Sequence, residues 1–276
     1  MSLVGSACSL RDMSTVRILF RTRYMQRVKT NSLTFDNASP PGSIEGQLNA
    51  EERRLLVDAI RTAQPKPKNT LEVGTWLGGG STIHILRALE ENGAGALWGI
   101  EADRSIYEQM IANIRAAAPD AMHRFTPLFG FSQNVIPEWL AKQEKDFRID
   151  FVFLDGGNNP QEQITEFRSL DPFLPVGGQL MSHDAKLRKG KWLVPYLSRL
   201  DNWNCQLHDV STEGLFHARK TALQPSPSSS RSARATLLKL RLQPAELAAV
   251  LLPRPLRRAA LRALPAPFSR KLSDGR

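Results

Sequence analysis

Along the middle of the chain, apolar residues fall into two spacings that alternate. Leu71–Val73, Ala96–Glu101, Phe125–Phe129, Phe151–Leu154 and Gln179–Ser182 are short, dense apolar runs and predict buried strands. Between them apolar residues recur three and four apart, as at Ile106, Met110, Ile111 and Ile114, which predicts helices that lay one face on a core. Further helices are expected from Ser81-Thr82 through Leu89, and over Ser132–Ala141, Pro160–Leu170 and Trp192–Leu200. Strand and helix in turn is the mark of a parallel sheet with right-handed crossovers. The last two strands, Cys205–Val210 and Gly214–Ala218, are separated only by Ser211-Thr212-Glu213. That is too short for a helical crossover and predicts an antiparallel hairpin. The expected fold is therefore α/β: a doubly wound, mostly parallel sheet of seven strands closed by a C-terminal hairpin.

Local punctuation supports these boundaries. Asn49 followed by Glu52 predicts a capping box at the start of a helix carrying Leu55, Leu56, Val57 and Ile60, and Pro65 ends it. Asp103 is placed to cap the next helix but one. Asn159, with Pro160 at the first helical position and Glu162 at the third, predicts another cap. Three segments are expected: a basic N-terminal arm or lid helix over 1–41, a catalytic domain over 42–220, and a basic tail over 221–276. In the tail, Pro225–Ser230 reads as a flexible linker, followed by the proline-interrupted amphipathic stretches Ala235–Leu242, Pro244–Leu252 and Pro255–Leu264. A chain ending near Lys220 is expected to fold and bind its ligand without that tail.

Charge alters the picture more by position than by amount. Of 37 Lys and Arg against 27 acids, residues 1–36 hold six against two and residues 221–276 hold eleven against two, leaving twenty against twenty-three between them. A near-neutral centre with basic ends points away from nucleic acid as substrate and towards a small or neutral one. The arms suit a different role. The first reads as a lid, a membrane-surface helix or an organelle transit segment, and the tail suits an anionic membrane surface, a partner, or this protein's own surface. Cys8 and Cys205 give no disulfide frame, and no apolar run reaches a membrane span. The expected location is cytoplasmic, with peripheral membrane attachment and organelle targeting left open. Oligomeric state is not legible.

The stretch Thr-Leu-Glu-Val-Gly-Thr-Trp-Leu-Gly-Gly-Gly-Ser-Thr at 70–82 is where the chain is built to bind. A strand, a glycine turn and a helix start offer free N–H groups and a positive dipole end, and bare glycines at 74, 78, 79 and 80 are expected to admit a ligand against the backbone. The G-x-G-x-x-G spacing of a dinucleotide site is missing, since Gly74 and Gly78 are four apart. Glu72 beside an anion-attracting helix start suits a zwitterion, with Ser81 opening the helix.

This E-x-G-x-x-x-G segment followed by Ser-Thr resembles the first motif of the class I S-adenosylmethionine-dependent methyltransferases. So do Ile-Glu-Ala-Asp at 100–103, Gly-Phe-Ser-Gln at 130–133, Phe-Leu-Asp-Gly-Gly at 153–157 and Val-Gly-Gly-Gln-Leu-Met-Ser-His-Asp at 176–184 resemble later motifs of that family. Over about 42–218 the similarity is to the small-molecule O-methyltransferases, both catechol-type and bacterial ones acting on sugars and secondary metabolites. The resemblance implies a Rossmann-like fold, S-adenosylmethionine as cofactor and a small-molecule hydroxyl as acceptor. It places Glu72 at the cofactor's amino group, Gly74, Gly78 and Ser81 in its turn, Glu101 on the ribose hydroxyls, Ser132 and Gln133 at the adenine, and Asp155 beside the methyl group.

Asp155 and Asp184 end adjacent central strands, where ligands of such sheets lie. In metal-dependent relatives two such acids and a following Asn hold Mg²⁺ or a similar cation, which lowers the pKa of the acceptor hydroxyl. Here Ala185 stands in the Asn position, and Asn158-Asn159 stand where relatives often place His or a catalytic Lys. Two readings of the chemistry stay open: a divalent cation on Asp155 and Asp184, or His183 as general base. Lys186, Arg188, Lys189 and Lys191 form either a solvated face or a receiver for an acidic substrate group. The rival from another class is a non-catalytic protein that kept the sheet and uses its basic arms on anionic membrane or nucleic acid.

Overall fold

The computed structural model describes residues 44–243. The arm over 1–41 and the tail stretches beyond 243, with the lid, targeting and membrane readings attached to them, lie outside the described residues. The strands are β1 (Asn69–Val73), β2 (Ala96–Glu101), β3 (Phe125–Phe129), β4 (Phe151–Leu154), β5 (Gln179–Ser182), β6 (Trp203–His208) and β7 (Leu215–Lys220). They form one sheet in the order β3-β2-β1-β4-β5-β7-β6. All pairs among β1 to β5 are parallel, and β7 runs antiparallel to both neighbours. The strand order reverses between β1 and β4, which opens a crevice at their carboxyl ends.

Side chains alternating along each strand feed two cores. In β4, Phe151 and Phe153 join the cluster under α1 (Ala50–Thr62), α2 (Thr82–Glu91) and α3 (Arg104–Ala117). Val152 and Leu154 join the one under α4 (Ser132–Leu140), α5 (Pro160–Leu170), α6 (Leu193–Leu197) and α7 (Pro227–Arg241). All four β4 residues are fully buried, as a central strand covered on both faces requires.

The expected caps form. Asn49 and Glu52 make the reciprocal capping box, Asp103 Oδ1 accepts from the N–H of Ser105 and Ile106, and Asn159 Oδ1 accepts from Glu162 N at 3.0 Å. Helix α6 is shorter than its apolar pattern suggests, and β6 and β7 are offset by about two residues from the expected runs.

The larger departure lies at 225–230. Instead of a linker, Ser226 caps α7 and Pro227 occupies its first turn, the pairing of cap and N1 proline that starts helices well. Asp201 fastens this end, accepting from Ser226 N at 2.9 Å and Ser229 Oγ at 2.8 Å. Ala233 and Leu237 enter the α4-to-α7 core, and the Arg241 guanidinium lies 5.2 Å from the Trp192 ring centre. No described helix is long and apolar enough to cross a membrane.

Candidate active site

Gly74 and Gly78 do adopt positive φ, +88° and +89°, as a sharp turn out of β1 requires. The space their missing side chains leave is filled by the protein itself. A Cβ on Gly74 would lie 2.5 Å from Gly156 N, and one on Gly78 2.9 Å from Ile114 of α3. On Gly79 and Gly80 it would meet Ile44 O at 2.2 Å and Gln47 N at 3.2 Å. The glycines thus let four segments of chain close on one another. Ser81 and Thr82, at the start of α2, are buried with them.

Ser81 Oγ donates to Glu72 Oε1, so these two expected site residues meet. Glu72 is fully buried in β1 and its Oε2 has no partner. Burial outweighs the Ser81 hydrogen bond and pushes its pKa up to about 8. A buried carboxyl with one unused oxygen is a place where a cation can be received.

Glu101 ends β2 beside the β1 turn. Its Oε2 accepts from Trp76 N at 3.0 Å, and Oε1 accepts from Ala102 N at 2.8 Å and Asp103 N at 2.9 Å. Trp76 is held at φ +45°, an uncommon conformation for a bulky residue, so this carboxylate shapes the turn. Burial raises the Glu101 pKa against those three N–H donors.

Of the pair after β3, Ser132 is buried and its Oγ donates to Glu166 Oε1 on α5, while Gln133 is exposed. Ser132 is the first residue of α4, and the cap position belongs to Phe131. Burial pushes Glu166 up to about 7 despite the Ser132 bond.

The densest chemistry lies past β4 and β5. Their register sets Leu154 beside Ser182, so Asp155 and His183 emerge side by side, and His183 N donates to Leu154 O at 3.1 Å. Asp184 follows at φ +58°, which Asp tolerates better than most residues. The turn beyond is tied to the β6–β7 loop, with Ala185 N donating to Gly214 O and Lys186 N to Glu213 O. Gly190 closes it, since a Cβ there would lie 2.4 Å from Ala185 O. This closure folds Lys189 back over the strand ends.

Lys189 Nζ donates to Asp155 Oδ1 at 2.7 Å, Asp184 Oδ2 at 2.8 Å and the Asp155 carbonyl at 3.1 Å. His183 is buried between carboxylates on both sides: Nδ1 lies 3.3 Å from Asp155 Oδ1 and 3.5 Å from Asp184 Oδ1, and Nε2 lies 3.3 Å from Glu52 Oε1. These are ion-pair separations and not aligned hydrogen bonds.

Burial would lower the His183 pKa, but Asp155 and Glu52 outweigh it and push it up to about 10. Burial would likewise raise Asp155, but Lys189 and then His183 hold it down to about 2. Lys189 is held well above the ordinary lysine value by the two aspartates, against its burial. Acids facing both nitrogens favour the charged form of the imidazole, which bears against His183 as general base. Asp155, His183 and Asp184 do offer ligand atoms within 4.8 Å of one another. Lys189 Nζ lies between the two carboxylates of this group, 2.7 Å from Asp155 Oδ1 and 2.8 Å from Asp184 Oδ2.

Two members of this cluster, Lys189 and Glu52, do not stand out in the sequence as site residues. The run Lys186–Lys191 marks Lys189 only as a solvated or substrate-facing charge. Lys186 does pair outward, with Asp209 and the Ser211 carbonyl. Glu52 is legible as a cap, and its Oε2 does accept from Asn49 N; its other oxygen accepts from Ser211 Oγ at 2.5 Å and faces His183. Asn158 and Asn159 are both engaged with Glu162.

Residues 71–185 match the family model described as a methyltransferase domain. The chain carries a methyltransferase domain. The match runs from β1 to the residue after Asp184, and so contains every expected site residue. No curated protein matches the sequence.

Among solved structures, the domain is similar to the O-methyltransferase TomG from Streptomyces achromogenes, involved in tomaymycin synthesis and solved with SAM. The identity is 22% over 64% of this chain and 82% of that one, with a TM-score of 0.52. It is similar also to an O-methyltransferase from Bacillus cereus in complex with SAH, at 15% identity over 77% and 93% of the two chains and a TM-score of 0.52. A SAH-bound Podospora anserina methyltransferase aligns at 14% identity over 79% and 100%, with a TM-score of 0.50. At these identities the likeness is one of fold.

Proposed function

We propose that this protein transfers a methyl group from S-adenosylmethionine to a hydroxyl oxygen of a small molecule. The observation that carries the reading is Glu101: within a methyltransferase domain, it sets a carboxylate at the end of β2 beside the β1 turn, where Oε2, with a single N–H on it, can accept from a ribose hydroxyl. The unpartnered oxygen of Glu72 suits the cofactor's ammonium group. The TomG structure, solved with SAM, and the SAH-bound relatives share the fold on which such a site is built.

S-adenosylmethionine supplies the electrophilic methyl group, so what remains for the chain is to align donor and acceptor and to take the acceptor's proton. Asp184 is the group for the proton. It stands at the rim of the buried cluster, with a side chain 26% exposed against 11% for Asp155 and 6% for Lys189. Its Oδ2 is occupied by Lys189, while among the described residues Oδ1 has only His183 at 3.5 Å. Asp155 and His183 hold the charge pattern around it.

Calorimetry tests the reading. Wild-type protein should bind S-adenosylmethionine, and Glu101→Gln should weaken it by about 10- to 100-fold, the size of a lost charge-assisted hydrogen bond. No binding by wild type, with copurified ligand removed, would refute it.

A further inference from the structure

We propose that Lys189 is a built-in replacement for a divalent cation, so that this methyltransferase works without a metal. The inference rests on the proposed reaction only for its functional meaning; the occupancy of the cation's place stands on geometry. Two acids at the ends of β4 and β5 are held together by one ammonium, at 2.7 Å from Asp155 Oδ1 and 2.8 Å from Asp184 Oδ2. Separations of that kind are charge-assisted hydrogen bonds. An ammonium has three donors, and the third goes to the Asp155 carbonyl at 3.1 Å. Nothing on Lys189 is left over for a substrate, which makes it a positioning residue.

Two further features of the turn serve the same arrangement. Ala185 offers no side-chain ligand atom, and Gly190 packs against its backbone, so the turn 185–190 is short enough to return the lysine stem through the interior. A divalent ion would need several oxygen ligands. Here it would have to displace a buried ammonium already matched to both carboxylates. The Lys189 charge does what the metal's would do for these acids, holding them close together. It offers no open coordination position, so the acceptor gains nothing from a second, neighbouring oxygen able to chelate.

The probe is Mn²⁺ alone, followed by electron paramagnetic resonance on the full chain. Wild type should leave the free Mn²⁺ signal unchanged, and its melting temperature should be the same in Mn²⁺ as in chelator. Lys189→Ala, which vacates the place between the acids, should bind Mn²⁺ at least about tenfold more tightly than wild type. A lysine with only a structural role would cost stability without creating a metal site. Mn²⁺ bound by wild type, or a folded Lys189→Ala protein no better at binding it than wild type, would overturn the proposal. Should that variant fail to fold, the wild-type signal and melting comparison decide alone. S-adenosylmethionine is titrated into the same samples: its failure to bind wild type would sink the methyltransferase reading and leave the Mn²⁺ comparison standing.

Discussion

Glu72→Gln should make the protein more stable at alkaline pH and should flatten its pH profile. Glu72 is fully buried, with one oxygen bonded by Ser81 and the other unpartnered, and its pKa stands at about 8 against an ordinary 4.5. An acid whose pKa is raised on folding contributes stability that is fully present below the unfolded value and is lost as pH rises through the folded one. The window is therefore pH 4.5 to about 8. Across it, at 1.36 kcal/mol per pH unit, the loss amounts to about 5 kcal/mol, an upper figure that relaxation of the site will reduce. Gln keeps an acceptor for Ser81 and cannot ionise. Urea denaturation of cofactor-free wild type and variant at pH 5, 6, 7 and 8 reads the effect directly. The variant's advantage should grow with each step in pH. A difference that stays constant from pH 5 to 8 would show that Glu72 does not titrate in this range and would refute the reasoning.

Other consequences of the geometry are equally open to measurement. Asp184→Asn should keep the fold and the affinity for S-adenosylmethionine, because Asn also accepts positive φ, while transfer of labelled methyl into a pooled metabolite extract should fall by about 100-fold or more; unchanged transfer would remove Asp184 from the chemistry. Glu52→Gln takes one carboxylate from a buried imidazolium and should destabilise the protein by about 3–5 kcal/mol at pH 7, which thermal or urea melts will show. Leu237→Ala should cost about 2–5 kcal/mol through the cavity left under α7, and cutting the chain after Lys220 should cost more; an unchanged melting temperature in both would mean that α7 is dispensable to the domain.

Much of the fold is legible in the chain because local signals agree with one another. Phe151–Leu154 is apolar at every position, which only a strand covered on both faces tolerates, and Ser211-Thr212-Glu213 leaves no length for a crossover. The caps at Asn49, Asp103 and Asn159 are legible because they are bonds between residues two or three apart. The start of helix α7 reads as a linker because Ser and Pro are common to linkers and helix N-termini. What decides between them is Asp201, far away in sequence, accepting from Ser226 and Ser229. The positive φ of Gly74 and Gly78 is likewise written in their residue type. Which atoms come to lie against them is not, because Gly156, Ile114 and Ile44 arrive only with the tertiary fold.

The same division runs through the site and explains its charge. Strand-end positions such as Glu101, Asp155 and Asp184 follow from topology, but Lys189, which pairs with the two aspartates, comes from a turn after β5, and Glu52, which faces His183, from a helix before β1. Assembled, the cluster holds three carboxylates, Glu52, Asp155 and Asp184, against two cations, His183 and Lys189, so it carries one surplus negative charge. Buried charges of this kind are a poor source of stability, since desolvation consumes most of what their attraction returns. Their arrangement is better understood by where the surplus can go. Glu52 is enclosed by His183, Ser211 and the Asn49 N–H, and Asp155 by Lys189 and His183, whereas Asp184 has the most exposed side chain of the five and, among the described residues, an Oδ1 without a close donor. The unbalanced charge is thereby directed to one oxygen at the cleft. There it can take up the proton that a hydroxyl must lose during methyl transfer, and it can face the positive charge of a sulfonium donor.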